Sequence, residues 1–272
     1  KPQSGQWTTE ENCFAIQANL SRGFDFHQQE SAEEQIKLVR QAFYALCTHI
    51  DHQLRVLIDT LREESLLDNT VICFTSDHGD MLGSHGMWSK RLFYEYSANI
   101  PMILVGIGGD DRVGVHQVDH RLVGWTDIMP TLLDLAVISI PPTVEGLSMV
   151  GKEKRASFYG EVGEDAFATR MVHDGRYKLI YYPVGNQRQL FDLNKDPNEG
   201  FDLSNDPTHR YQLEHLTKIL VSQLYGADLD WVIDGKLVGL IDQKFLPRLD
   251  KGLSSQRGDH FPPPPQTNMK QI

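Results

Sequence analysis

A chain of 272 residues with 40% hydrophobic side chains can bury a sizeable core, as one large domain or as one medium and one small domain. Its formal charge of -11 and pI near 5.4 exclude a general binder of nucleic acid or anionic membrane, because phosphate backbones reward clustered Lys and Arg. No apolar run approaches the roughly 18 to 20 residues needed to span a bilayer. Residues 1–30 are polar and weakly periodic, as expected of a surface segment or a loop entering from something upstream. Asn19-Leu20-Ser21 fits the glycosylation triplet, a pattern that arises often by chance. The abrupt start at Lys1-Pro2-Gln3, without an initiator Met, reads as the C-terminal part of a longer protein.

Ile36, Val39, Phe43, Leu46, Ile50, Leu54, Leu57 and Leu61 recur at three- and four-residue intervals, which predicts one face of a long helix ending near Leu66 to Asn69. Ser31 followed by Glu34 supplies a capping box at its start. His49 and His52 on this helix read as exposed or half-buried structural residues. Cys47 and Cys73 lie inside apolar patterns and read as small core residues, while the spacing of Cys13, Cys47 and Cys73 suits neither close pairing nor a metal. The unbroken run Val71-Ile72-Cys73-Phe74 predicts a strand covered on both faces, as in a parallel sheet, and Pro101 to Val105 predicts a second. Thr126 to Ala136 then reads as a helix with Leu132, Leu133 and Leu135 on its buried side. Helices alternating with apolar strands predict an α/β layered sheet domain over residues 1–150.

Beyond that the pattern changes. Ser157 to Glu161, Ala168 to His173, Tyr177 to Tyr182 and Gln189 to Asp192 are short strand-like runs separated by turn pairs such as Asp174-Gly175 and Gly185-Asn186, which suit antiparallel hairpins. Arg210 to Tyr225 returns to helical spacing through Leu213, Leu216, Ile219, Leu220 and Leu224. A small antiparallel-sheet-plus-helix subdomain over 151–226 is the simplest reading, with 227–272 as an extension whose tail carries four consecutive prolines. Trp231, Phe245 and Phe261 are aromatic residues that either reach a substrate cleft or pack locally.

Ligands of open α/β sheets bind at the carboxyl ends of strands, so the segment directly after the first apolar strand is where polar groups become functional. Here stands Thr75-Ser76-Asp77-His78-Gly79-Asp80. Asp77 offers a hard carboxylate oxygen, His78 an imidazole nitrogen, and Gly79 a tight backbone turn. The pair suits half of a divalent-metal site, or the capping of a following turn, and spacing alone does not separate these readings. Lys90, thirteen residues after Asp77, can fold back to place an ammonium beside such a metal and stabilise charge on a sulfuryl or phosphoryl oxygen. His85 can donate a proton to a leaving group or order the loop.

The ordered set Asp68-Asn69-Thr70, Thr75 to Gly83, His85-Gly86, Lys90, Tyr94-Glu95 and Ile100-Pro101 resembles the C-terminal metal- and sulfate-binding segment of the type I sulfatases. Asp127 to Leu135 is similar to the helix that follows in that family. Tyr177 to Tyr182, Gln189 to Leu193, Asp196-Pro197, Glu199 and Asp202-Leu203 resemble its C-terminal subdomain. The resemblance implies a member of the alkaline phosphatase superfamily that cleaves small-molecule sulfate esters with a formylglycine hydrate and one divalent cation, Ca2+ or Mn2+. It implies that Asp77 and His78 are metal ligands and that Lys90 binds the sulfate. His78 stands where many sulfatases have Asn. This also resembles choline sulfatases and phosphonate monoester hydrolases, and an imidazole ligand shifts preference from calcium toward manganese.

The family's nucleophile motif, Cys or Ser followed by any residue, Pro, any residue and Arg, is absent: Cys13, Cys47 and Cys73 are followed by Phe14, Thr48 and Phe74 without it. The expectation is therefore a sulfatase part whose isolated chain is inactive, with phosphonate monoester or phosphodiester hydrolysis as the alternative. An inactive sulfatase-like binding module is a second alternative. A homo-oligomer is left open.

Overall fold

The computed structural model describes residues 33–241 apart from 88–89, 91 and 108–109. The Ser31 capping box, Cys13, the Asn19 triplet, Phe245 and Phe261 lie outside the described residues. Helix α1 (Glu33–Glu63) forms where the periodicity placed it. Its apolar stripe, however, is only partly covered: Leu46, Ile50 and Leu57 are 63%, 51% and 51% exposed, while Ile36, Phe43, Leu54 and Leu61 are half-buried. Cys47, expected in the core, is exposed too. Periodicity reports which face of a helix is apolar, not what covers it. His49 and His52 are exposed, as read.

Strands β1 (Ile72–Thr75) and β2 (Met102–Val105) pair antiparallel, with Cys73 opposite Leu104 and Phe74 opposite Ile103. This corrects the expected parallel arrangement covered on both faces, since Ile103 and Val105 are 53% and 47% exposed. An apolar run signals burial but carries no strand direction. Between the two strands the chain passes through a loop and a single helical turn, α2 (Glu95–Ala98), which sends it back alongside β1. Helix α3 (Ile128–Leu135) buries Pro130, Thr131 and Leu135, while Leu132, predicted on its buried side, is 41% exposed. At about 100° per residue Leu132 lies between Leu133 and Leu135 around the helix, so its exposure reflects what the rest of the chain leaves uncovered rather than the helix period. Asp127 anchors this helix: its buried carboxylate accepts from the N–H groups of Gly124 and Leu147 and pairs with both terminal nitrogens of Arg155 at 2.5 and 2.7 Å.

Strands β3 (Phe158–Val162), β4 (Thr169–His173), β5 (Tyr177–Tyr182) and β6 (Gln187–Asp192) form a four-stranded antiparallel sheet in chain order. Gly185 and Asn186, at φ 71° and 51°, make the tight β5–β6 turn, the left-handed geometry that Gly and Asn tolerate best. Strand alternation then sorts the side chains into two cores. On one face Met171, Ile180, Tyr182 and Phe191 pack against Met81, Met87, Leu92, Phe93 and Tyr94. On the other, Val172, Leu179, Tyr181 and Leu190 pack against Leu216, Leu220 and Leu224 at and just beyond α4 (Arg210–Gln223). The sheet is thus the backing of the segment that follows β1, and α4 is the backing of the sheet.

The extension after α4 closes onto the second core. Trp231 is buried, Arg170 lies over its ring at 5.2 Å, and Arg170 forms a two-point ion pair with Asp228 at 2.6 and 3.0 Å. Local packing is therefore the outcome for Trp231. A short hairpin, β7 (Val232–Ile233) with β8 (Lys236–Leu237), follows it. No described helix is long and apolar enough to cross a membrane.

Candidate functional site

Asp77 and His78 leave the carboxyl end of β1 and are held by a short set of local hydrogen bonds. Ser76 Oγ donates to the His78 carbonyl at 2.8 Å, and the His78 N–H donates to Asp77 Oδ1 at 3.0 Å. The Trp125 indole N–H, from the turn before α3, donates to the Ser76 carbonyl at 2.9 Å and fixes the peptide just ahead of Asp77. Gly79 then passes against α2: its N–H donates to Ser97 O at 2.9 Å, and a Cβ there would lie 2.1 Å from the Tyr96 carbonyl oxygen. Only glycine permits this approach.

The imidazole of His78 is oriented by its neighbour. Nδ1 lies 2.7 Å from the Gly79 carbonyl, which can only accept, so the ring proton belongs on Nδ1 and Nε2 presents a lone pair. That lone pair meets Lys90 Nζ at 2.5 Å, and Asp77 Oδ2 stands 3.1 Å from the same nitrogen. A carboxylate oxygen and an imidazole lone pair at this separation repel unless positive charge lies beside them. The Lys90 ammonium supplies it here. The side chains of Asp77 and His78 are 64% and 33% exposed, so the cluster faces outward. A hard oxygen and a borderline nitrogen aimed at one point are a suitable pair of ligands for a divalent cation. Among the described residues no group of three or more His, Cys, Asp or Glu side chains converges, and Asp77 and His78 stand as a pair.

The loop after Gly79 is pinned from both sides. Met81 and Met87 are fully buried in the first core, and Arg40 of α1 donates to the Leu82 carbonyl at 2.8 Å. His85 adopts φ 55° and stacks on Tyr94 at 4.7 Å, with Tyr96 edge-on at 6.3 Å. Burial pulls its pKa down to about 4, against a smaller upward pull from the Asn198 backbone. The imidazole is therefore neutral at neutral pH. Between pH 6.5 and 4 the unfolded chain binds a proton here that the folded chain refuses, so folding stability falls as pH is lowered through that window. The contribution is at most roughly 3 kcal/mol. His85→Gln is expected to flatten the decline of Tm over that pH range, followed by thermal melts at fixed ionic strength.

The structure brings Asp77, His78 and Lys90 together, and it places His85 against the aromatic wall of the loop. Sequence reasoning missed the supports: Trp125, the α2 carbonyls behind Gly79, and an ion-pair cluster of Lys178, Glu95 and Glu199. Lys178 carried a signal, being a charged residue inside the otherwise apolar run Tyr177 to Tyr182. Burial pushes the Glu199 carboxyl up to about 7, and the Lys178 ammonium opposes that rise.

The chain as a whole, rather than this cluster alone, is that of a sulfatase of the alkaline phosphatase superfamily. A putative sulfatase from Bacteroides thetaiotaomicron of known structure aligns with a TM-score of 0.64 and 29% identity, over 71% of this chain and 44% of that one. Residues 10–138 match the Sulfatase family model, and residues 83–225 match the model described as N-sulphoglucosamine sulphohydrolase, C-terminal. The chain belongs to the sulfatase family. It is 33% identical to an arylsulfatase of Clostridium perfringens over 88% of this chain and 50% of that protein. It is 36% identical to a choline-sulfatase of Rhizobium meliloti over 64% of this chain and 35% of that protein. The chain thus spans half or less of the length of these relatives.

Proposed function

We propose that the native protein hydrolyses sulfate esters and that Asp77, His78 and Lys90 form one wall of its reaction site. The observation that carries this reading is the convergence of Asp77 Oδ2 and Lys90 Nζ on the bare Nε2 of His78, at 3.1 and 2.5 Å. Asp77 and His78 would hold a divalent cation, Ca2+ or Mn2+, which when bound would supply Lewis-acid polarisation of a sulfuryl oxygen. Lys90 binds the anionic sulfuryl group and offsets charge that builds on its oxygens as the ester bond breaks. His85, neutral and stacked on Tyr94, keeps the loop in shape rather than carrying a proton as imidazolium. The nucleophile in this reading, expected to be formylglycine, lies outside residues 1–272, since none of the three cysteines is followed by the Cys-x-Pro-x-Arg pattern.

The test is a parallel assay of the native protein on an aryl sulfate and a phosphonate monoester, with and without Lys90→Ala. Sulfate release is expected, with kcat about 10²- to 10³-fold lower in the variant. Faster turnover of the phosphonate would move the protein to the other ester class of the superfamily. No turnover of either ester, or a Lys90 variant as active as the parent, would sink the reading.

A further inference from the structure

The Asp77–His78 pair is oriented from its back. The acceptor that fixes the His78 tautomer is the Gly79 carbonyl, and the residue that carries it is held at its other end, where its N–H donates to the Ser97 carbonyl and its Cα packs against the Tyr96 carbonyl. Both belong to α2, a single turn of four residues, too short to hold its place through its own hydrogen bonds. Its fixity comes from far along the chain. Glu199 Oε2 accepts the Glu95 N–H at 2.6 Å, satisfying a donor that the first turn of a helix leaves open. Lys178 Nζ bridges Glu95 Oε1 and Glu199 Oε1, at 2.6 Å to each. Asn198 Oδ1 accepts the Tyr96 hydroxyl at 3.0 Å. The Lys178 and Glu199 side chains are 2% and 0% exposed. This is a costly place for charge, and a scaffold could fill it with apolar side chains at equal or better stability.

We infer that Lys178 and Glu199 are positioning residues for the Asp77–His78 pair: together they lock Glu95 and its helical turn, which in turn sets Gly79 and the direction of His78 Nε2. The inference rests on the reading of Asp77 and His78 as cation ligands. It gives the four-stranded sheet a part in the reaction site as well as in the core. Groups that orient a ligating histidine through its second nitrogen typically change metal affinity by about 10- to 100-fold when lost.

The experiment measures Mn2+ and Ca2+ dissociation constants of the native full-length protein by calorimetry, alongside Tm without added metal. The variants are Glu199→Ala, Glu199→Gln, Asp77→Asn and Leu220→Ala. Glu199→Gln keeps a carbonyl oxygen for the Glu95 N–H and loses only the charge facing Lys178. Leu220→Ala weakens the opposite face of the same sheet. Cation affinity is expected to fall about tenfold in Glu199→Ala, less in Glu199→Gln, and not at all in Leu220→Ala despite its lowered Tm. Should Glu199→Ala fail to fold, the comparison of Glu199→Gln with Leu220→Ala carries the test alone. Unchanged affinity in the Glu199 variants, with Asp77→Asn losing the cation, would overturn the positioning role and leave the ligand assignment standing. Unchanged affinity in Asp77→Asn would remove the ligand assignment itself, and the positioning role with it.

Discussion

Asp77→Asn is expected to abolish cation binding and lower kcat on an aryl sulfate by about 10³-fold or more while leaving the fold intact. The reason lies in the two faces of the carboxylate. Oδ1 accepts the His78 N–H at 3.0 Å, a role that an amide oxygen takes over without change. Oδ2 faces His78 Nε2 at 3.1 Å, and an amide NH2 in its place would donate to that lone pair. A repulsion between two acceptors thus becomes a hydrogen bond, and the apo protein is as stable as the parent or slightly more so. The same bond occupies the nitrogen that a cation needs and removes the negative charge that would hold it. Thermal melts with and without Mn2+ separate these effects. The parent Tm rises with cation by mass action, whereas the variant starts at or above the parent and does not move. A variant whose Tm climbs with Mn2+ as steeply as the parent's would show that Asp77 is not a ligand.

The second large effect is expected from Gly79→Ala. Its Cβ would sit 2.1 Å from Tyr96 O and 3.0 Å from Tyr96 C. Both are backbone atoms, so no rotamer change relieves the clash, and either β1 or α2 must move. We expect a loss of roughly 3 kcal/mol or more in stability, at the upper end for overpacking, together with loss of cation affinity. Gly175→Ala is the informative control. Gly175 sits at φ +96° with nothing within 4 Å of where a Cβ would stand, so alanine there strains the turn without displacing anything. Its cost is about 1 kcal/mol, with the site untouched. Equal loss of metal affinity in both variants would mean that general destabilisation, not the packing of Gly79 on α2, controls the site.

Much of this was legible in the sequence because it is local. The period of α1, the hairpins of the small sheet with turns at Asp174-Gly175 and Gly185-Asn186, and α4 follow from spacing and turn chemistry within a few residues. So does the placing of Asp77 and His78 at a strand end. What was not legible is relational. Strand direction in β1 and β2 depends on how residues 76–101 route the chain, and the apolar run at Val71 to Phe74 is the same for either direction. Cys47 and half of the α1 stripe are apolar in pattern yet exposed, because cover depends on other segments. The supports of the site were hidden for the same reason: Glu199 reaches the Glu95 N–H across 104 positions of sequence, and Trp125 reaches Ser76 across 49. His85 illustrates a third limit. Its residue type fits a proton donor or a loop-ordering group alike, and the burial that lowers its pKa comes from its surroundings and cannot be read from the sequence around it.

The two-faced sheet has a consequence for how this chain can vary over generations. Along β5, successive positions answer to different demands: Leu179 and Tyr181 fill the volume under α4, while Ile180 and Tyr182 form the floor beneath the loop that carries the Asp–His pair. Changes on the first set are filtered by how much folded protein survives, and a neighbour across the same layer can compensate them. Changes on the second set are filtered by turnover, and compensation must come from the loop itself. Tolerance to mutation along this one strand would therefore alternate with a period of two, so that abundance and specific activity record separate histories.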